Sequence, residues 1–377
     1  MRTAVFTGAG ASRAFGFPLT REIMPRLRRR LLKGDLFDAG AAGQRKQALL
    51  LVYLRELLPG FNKVRALPSI TDVLSLIDYS IVTEIAPMRS RTPLELRHFR
   101  RLLDEALFTV LAWPYGEDDT PRVLERFASW IEEQSAARED SVALITSNYD
   151  LAIDDMLFWS RNYDTATIAA NIDFGFAWRD PLAEEPELRL RPKDPSLSIF
   201  KLHGSLNWLR CDECDHIYVN PDGVIAHQAF RDDVDDRNTC DCDHAPLRQV
   251  IVAPSLVREV RDVNLMEVWK ASLEYLRRAD RWVIIGYSFP SEDLAIRTMF
   301  MRAYNGRSKP PRISVVQPQF EDELRSRYRV LFPGFRPVTG GIEGFVRSLD
   351  TPRRRHRKRA PSRLLHELRG KRSVKLK

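Results

Sequence analysis

Five short β-prone apolar runs restrict this chain to few architectures. They are Thr3–Thr7, Val142–Thr146, Ile199–Leu202, Trp282–Gly286 and Ile313–Gln317, with a weaker one at Val250–Ala253. Each is nearly continuous in its apolar character rather than alternating. A strand apolar on both sides needs cover on both faces, which is the condition of a parallel sheet between helices. The expected class is α/β, with a Rossmann-like parallel sheet.

The roughly 130 residues between the first two runs follow helical periodicity instead. Thr92-Pro93-Leu94-Glu95 reads as a capping box with proline at the first helical position, and Leu96, Phe99, Leu103, Leu107 and Val110 fall on one stripe behind it. Thr120-Pro121 opens a second helix with Val123, Leu124, Phe127 and Ile131 on its buried side. Residues 21–140 are read as a helical module inserted into an α/β domain made of 1–20 and 141–350. Segment 205–248, rich in Asp, Asn, Gly and Cys and without period, is expected to form a small zinc-stapled lobe. No repeat of 20–50 residues is present, which argues against a solenoid.

A length of 377 residues suits two or three domains. With 44% hydrophobic and 29% charged residues, a disordered, collagenous or disulfide-scaffold chain is excluded. The longest fully apolar stretch, Ala48 to Leu54, is far short of a membrane span, and the sequence opens without a basic leader. A cytoplasmic protein that makes no use of a membrane is expected. The net charge of +8 is concentrated in 352–377, where twelve Lys or Arg face only Glu367, so residues 1–351 carry −3. Such a tail is either an arm for nucleic acid or an acidic partner, or a solvated extension.

Three motifs carry chemistry. Gly8-Ala9-Gly10-Ala11-Ser12 follows the first run, where glycine allows a backbone to approach a pyrophosphate closely. The third glycine of a dehydrogenase fingerprint is missing, which disfavours an ordinary hydride-transfer enzyme. Thr146-Ser147-Asn148-Tyr149-Asp150 ends the second run, and Lys201-Leu202-His203-Gly204-Ser205 ends the third. An amide at a strand end can hold a ribose hydroxyl or a water, and a histidine there can act as a base near neutral pH. Taken singly, Asn148 equally suits a helix cap and His203 a core histidine.

Together with Gly286-Tyr287-Ser288 and the strand-end segment Ile313–Pro318, these motifs resemble, in order, residue type and strand-end context, the sirtuin-type family of NAD-consuming proteins. The resemblance covers about 1–20, 142–155, 199–255 and 282–318. It implies NAD+ as substrate, with Gly8, Ala9, Gly10 and Ser12 at the pyrophosphate. Gly286 and Ser288 would lie near the nucleotide, and Gln317 near the adenosine. Asn148 would position ribose and water and His203 would serve as base or ribose-hydroxyl relay. Asp150 would either orient this set or cap the next helix.

All four cysteines lie in one lobe, as Cys211-x2-Cys214 and Cys240-x-Cys242. Paired cysteines in a cytosolic chain favour structural Zn2+ over disulfides, and sirtuin-like proteins carry zinc between the same motif blocks. Because the second pair is Cys-x-Cys, His244 or His216 is an alternative fourth ligand.

The chain departs from deacylating members at Gly16-Phe17-Pro18-Leu19-Thr20-Arg21, where their acidic-aromatic pair is absent. The variant motifs resemble the family's bacterial antiphage-defence branch. That resemblance implies hydrolysis of NAD+ to nicotinamide and ADP-ribose, gated by homo-oligomerisation or by a HerA-type DNA-translocase ATPase. The alternatives are a nucleic-acid-binding or scaffold protein with a vestigial NAD fold, and a protein ADP-ribosyltransferase or deacylase; Arg26, Arg28, Arg29 and Arg30 would serve the first of these or, the favoured reading, form a solvated helix face.

Overall fold

The computed structural model describes residues 1–88, 91–112, 121–135, 141–158, 164–181, 183, 187–221, 223, 225–230, 239–242, 244–252, 262–290 and 293–350. The basic tail expected at 352–377 lies outside the described residues.

A seven-stranded, wholly parallel sheet organises the molecule. Its strands are β1 (Arg2–Thr7), β2 (Ser141–Thr146), β3 (Ile172–Asp173), β5 (Leu197–Lys201), β9 (Arg281–Ile285), β10 (Arg312–Val316) and β11 (Arg336–Val338), in the order β11-β10-β9-β1-β2-β5-β3. The five strong apolar runs are its five central strands, with Val5 facing Leu144 on one side and Val283 on the other. The edge strands β3 and β11 are short, and β11 is largely exposed, so neither shows an apolar run.

The chain passes from β1 to β2, on to the edge strand β3 and back to β5 between them, then returns to β9 on the other side of β1 and continues that way. Right-handed crossovers in opposite directions put helices on opposite faces. On one side α6 (Arg122–Ser135) packs against β2 and α12 (Gly341–Asp350); on the other α9 (Val263–Arg278) packs against β5, β1 and α10 (Leu294–Asn305). The reversal of strand order falls between β1 and β9.

Four helices, α2 (Thr20–Lys33), α3 (Ala41–Leu57), α4 (Ile70–Thr83) and α5 (Pro93–Leu111), share a separate core. The α5 capping box forms as read: Thr92 Oγ1 accepts from Glu95 N–H at 3.3 Å and Glu95 Oε2 accepts from Thr92 N–H at 2.8 Å. All five stripe residues of α5 are buried in that core. Leu124, Phe127 and Ile131 of α6 belong instead to the core of the large sheet.

Val250–Ala253 does not join the parallel sheet. Its described part lies in β8 (Arg248–Ile251), antiparallel to β6 (Gly204–Arg210), in a second sheet of order β4-β7-β6-β8 with β4 (Trp178–Arg179) and β7 (Ile217–Val219). The cause is the tight turn at Leu202–Gly204. Gly204 has φ +84°, and a Cβ there would stand 1.8 Å from Val250 O. The chain therefore turns out of the large sheet and pairs with the returning segment. No helix among the described residues is long and apolar enough to cross a membrane.

Candidate functional site

Parallel strands put all their carboxyl ends on one edge, and that edge gathers the three motifs. Gly8 directly follows β1, Asn148 and His203 stand two residues past the ends of β2 and β5, and Gly286 and Gln317 directly follow β9 and β10.

Asn148 is held from both sides. Its Nδ2 donates to Gly8 O at 3.0 Å and to Ser12 Oγ at 2.8 Å, and its own N–H donates to Thr146 Oγ1 at 3.0 Å. Ser12 Oγ donates to Asp150 Oδ2 at 2.7 Å, and Asp150 Oδ1 accepts from Ala152 N–H at 3.2 Å. Asp150 thus caps α7 (Ala152–Phe158) and also ends a side-chain relay from Asn148. Burial pushes its carboxyl above the ordinary range, against the lowering pull of the Lys201 ammonium and the Ser12 hydroxyl.

Lys201, the last residue of β5, lies behind this relay with 1% of its side chain exposed. Its Nζ donates to Asp150 O at 2.7 Å and to Asp154 Oδ2 at 2.9 Å. A buried ammonium is tolerated only when paired and hydrogen-bonded, and both conditions are met. Next to it, burial and the Asp154 charge raise Asp155 to about 7.

His203 is buried, with Nδ1 3.3 Å from Ser147 O. A carbonyl oxygen only accepts, so in this contact Nδ1 carries a proton. Tyr149 and Trp269 flank the imidazole with ring centroids 6.2 and 6.1 Å away. Both rings are pinned to backbone: Tyr149 Oη donates to Val252 O and Trp269 Nε1 to Leu202 O.

The glycines after β1 make a close approach to the protein's own backbone. Gly8 N–H donates to Ile285 O at 3.0 Å and Gly10 N–H to Gly286 O at 2.8 Å. A Cβ on Gly10 would lie 2.7 Å from Gly286 O, and one on Gly286, whose φ is +63°, 2.1 Å from Ala11 N. The β1 and β9 turns are therefore locked together where the strand order reverses. The close approach read in the sequence as room for a pyrophosphate is, for these two amides, already taken within the chain. Ser12 likewise uses its hydroxyl on Asn148 and Asp150, and Ala9 opens the short helix α1 (Ala9–Arg13).

Further along the edge, Gln317 Nε2 donates to Tyr287 O at 2.5 Å, and Ser288 O accepts from Arg327 at 2.9 Å. These contacts fasten the β9 and β10 loops to each other and to α11 (Asp322–Leu331). Sequence reading left Lys201, Asp154, Tyr149 and Trp269 without a role. The signal for the ion pair was available, since a lysine ends an apolar strand while Asp154-Asp155 opens a helix.

In the second lobe the Sγ atoms of Cys211, Cys214, Cys240 and Cys242 all lie within 4.8 Å of one another. Cys211 and Cys242 are 3.6 Å apart and Cys214 and Cys240 3.5 Å, close to the roughly 3.8 Å edge of a tetrahedron with ~2.3 Å Zn–S bonds. The residues fit zinc. Neither His244 nor His216 belongs to the group. Tyr218 Oη stands 3.2 Å from Cys240 Sγ and accepts from Asp241 N–H at 3.3 Å, bracing one corner of the cluster.

No family model matches the chain, and no curated protein matches it. Among solved structures it is similar to a Sir2 histidine-to-tyrosine mutant with a p53 peptide and NAD, at 13% identity and a TM-score of 0.39, covering 92% of this chain and 91% of that one. It is also similar to a serine-to-alanine mutant of a Sir2 homologue in complex with ADP-ribose, at 14% identity and a TM-score of 0.37, covering 100% and 95%.

Proposed function

We propose that the protein hydrolyses NAD+ to nicotinamide and ADP-ribose. The observation that carries this reading is the Asn148–Ser12–Asp150 relay beside a buried His203 whose Nδ1 faces the Ser147 carbonyl, at the carboxyl edge of a parallel sheet. The nicotinamide leaving group is already cationic, so no acid is needed to expel it. The reaction needs a held ribose, a placed water and stabilisation of oxocarbenium-like charge.

Asn148, fixed by Gly8 and Ser12, presents its amide oxygen to the ribose or water. His203 Nε2 takes a proton from the water or from a ribose hydroxyl. Asp150 holds Ser12, and through it the amide, in place. The pyrophosphate would pack against the turn Gly8–Ser12 without the Gly8 and Gly10 amides, which are bonded to the Ile285 and Gly286 carbonyls, with the adenosine toward Gly286, Ser288 and Gln317. Zinc at the four cysteines would be structural, because four thiolates leave no open position.

Nicotinamide release from NAD+ by the wild type, Asn148→Ala and His203→Ala tests the reading, and equal release from all three would overturn it. Label on the adenine, followed to free ADP-ribose or to protein, separates hydrolysis from ADP-ribosyl transfer; loss of an acyl group from a lysine peptide identifies a deacylase.

We further propose an antiphage setting in which activity is gated by assembly, as a homo-oligomer or with a HerA-type ATPase, since an unregulated hydrolase would drain the cell's own NAD+. Leu76, Tyr79, Val82 and Ile85, at and just beyond the exposed side of α4, support a surface that associates. Mass photometry with parallel NAD+ turnover checks the gating, which a fully active, dilution-stable monomer would exclude. Removal of 352–377 tests a nucleic-acid role of the tail through the salt dependence of binding.

A further inference from the structure

Four arginines, Arg13, Arg21, Arg26 and Arg29, line one concave groove of about 400 Å3 formed by the end of α1, the turn at Gly16–Phe17 and the first three turns of α2. Among the described residues its only acid is Glu22, and that carboxylate is occupied: Oε2 accepts from Leu19 N–H at 3.0 Å and Oε1 pairs with Arg13 at 3.0 Å. Arg26 reaches only a neutral partner, the Gly16 carbonyl, at 3.3 and 3.4 Å. Arg21 and Arg29 have no hydrogen bond or ion pair among the described residues. The other arginines of this helix are engaged: Arg28 on Phe61 O and Val64 O, Arg30 on Thr109 O and Asp35 O.

Like charges lining one concavity repel unless an anion sits among them. The groove carries +3 on a body whose net charge over residues 1–351 is −3, so it is not part of a generally basic surface. The start of α2 adds the positive end of a 14-residue helix. Guanidinium forks match phosphate oxygens two at a time, and the volume lies in the range of small-molecule sites. None of Asn148, Asp150, His203, Gly286 or Gln317 lines it.

We propose that this groove is a binding site for a polyphosphate-bearing small molecule of about nucleotide size, separate from the strand-end site. The inference is independent of the reaction assigned to that site. Arg13 and Ser12 are adjacent on α1, so an occupant of the groove would brace the helix that carries the Ser12 hydroxyl.

The test is calorimetric titration of the full chain with inorganic tripolyphosphate at fixed ionic strength, with ATP as a second probe to separate a nucleoside polyphosphate from a free one. The arginines of the tail also attract such probes, so phenylglyoxal modification read by mass spectrometry locates the binding. The expected result is saturable binding weakened at least tenfold by Arg29→Glu and less by Arg29→Gln, protection of Arg26 and Arg29, and unchanged NAD+ affinity in both variants. Binding equal in wild type and variants, or protection confined to the tail, would overturn the proposal. So would a parallel loss of NAD+ affinity, which would merge the groove with the strand-end site.

Discussion

The Ser12 hydroxyl donates to Asp150 Oδ2 at 2.7 Å across 138 residues of sequence, joining the helix after β1 to the turn after β2. The same oxygen receives the Asn148 amide, so one hydroxyl orients two polar side chains. Ser12→Ala leaves Asn148 with the Gly8 carbonyl alone and removes the proton from Asp150 Oδ2. Loss of amide positioning is expected to lower nicotinamide release on the order of 10²-fold. The stability cost should be about 1–3 kcal/mol. Denaturant unfolding alongside turnover assays separates the two effects.

Lys201→Met leaves Asp154 buried without its cation; Asp154 Oδ1 already has no hydrogen-bond partner among the described residues. Breaking one side of a buried pair is expected to cost about 3–5 kcal/mol, whereas removing both charges costs less. Urea titration of Lys201→Met, Asp154→Leu and the double variant forms the cycle. A double variant as unstable as the sum of the singles would deny the pairing.

Asp155 gives stability a definite dependence on pH. Its carboxyl titrates near 3.8 in the unfolded chain and about 7 in the fold, so the folded state holds the proton more tightly between those values. Stability from this group is therefore greatest below the lower pH and declines as pH rises toward 7. Asp155→Asn should raise the melting temperature at pH 8 and change it little at pH 4. Thermal unfolding at the two pH values checks the sign.

The cysteine lobe is expected to carry one zinc per chain. Its small core, Leu209, Tyr218, Ile225 and Leu247 around Cys211 and Cys240, is too slight to hold the lobe without a staple. Cys211→Ser or Cys240→Ser should lose the metal, and chelation should expose four titratable thiols and speed proteolysis of the lobe. Elemental analysis with a thiol assay gives the answer; metal-free protein with an equally protected lobe would refute it.

Strands buried on both faces were legible in the sequence because their composition admits no other use, as in β1 and β9. Edge strands were not, since Ile172–Asp173 and Arg336–Val338 owe their state to a neighbour rather than to their own residues. Val250 shows the same limit: its apolar run was visible, but the choice of sheet was made by the turn at Gly204. At the site, Asn148 and His203 stood out by position, yet the partner of each group was hidden. No local pattern says that Ser12 serves Asn148, or that Gly10 faces Gly286, because these contacts join segments more than a hundred residues apart.

The central position of β1 also affects how the chain is made. β1 leaves the ribosome before either of its partners, pairing with one neighbour that begins at Ser141 and another that begins at Arg281. At about 5–20 residues per second, its second partner is synthesised roughly 15–60 s after it. The core shared by α2 to α5 draws mostly on residues 23–111 and can form well within that interval. Nascent β1 thus waits as an exposed apolar segment tethered to helices that can already be packed, and a nascent-chain holdase should find its binding site at Thr3–Phe6.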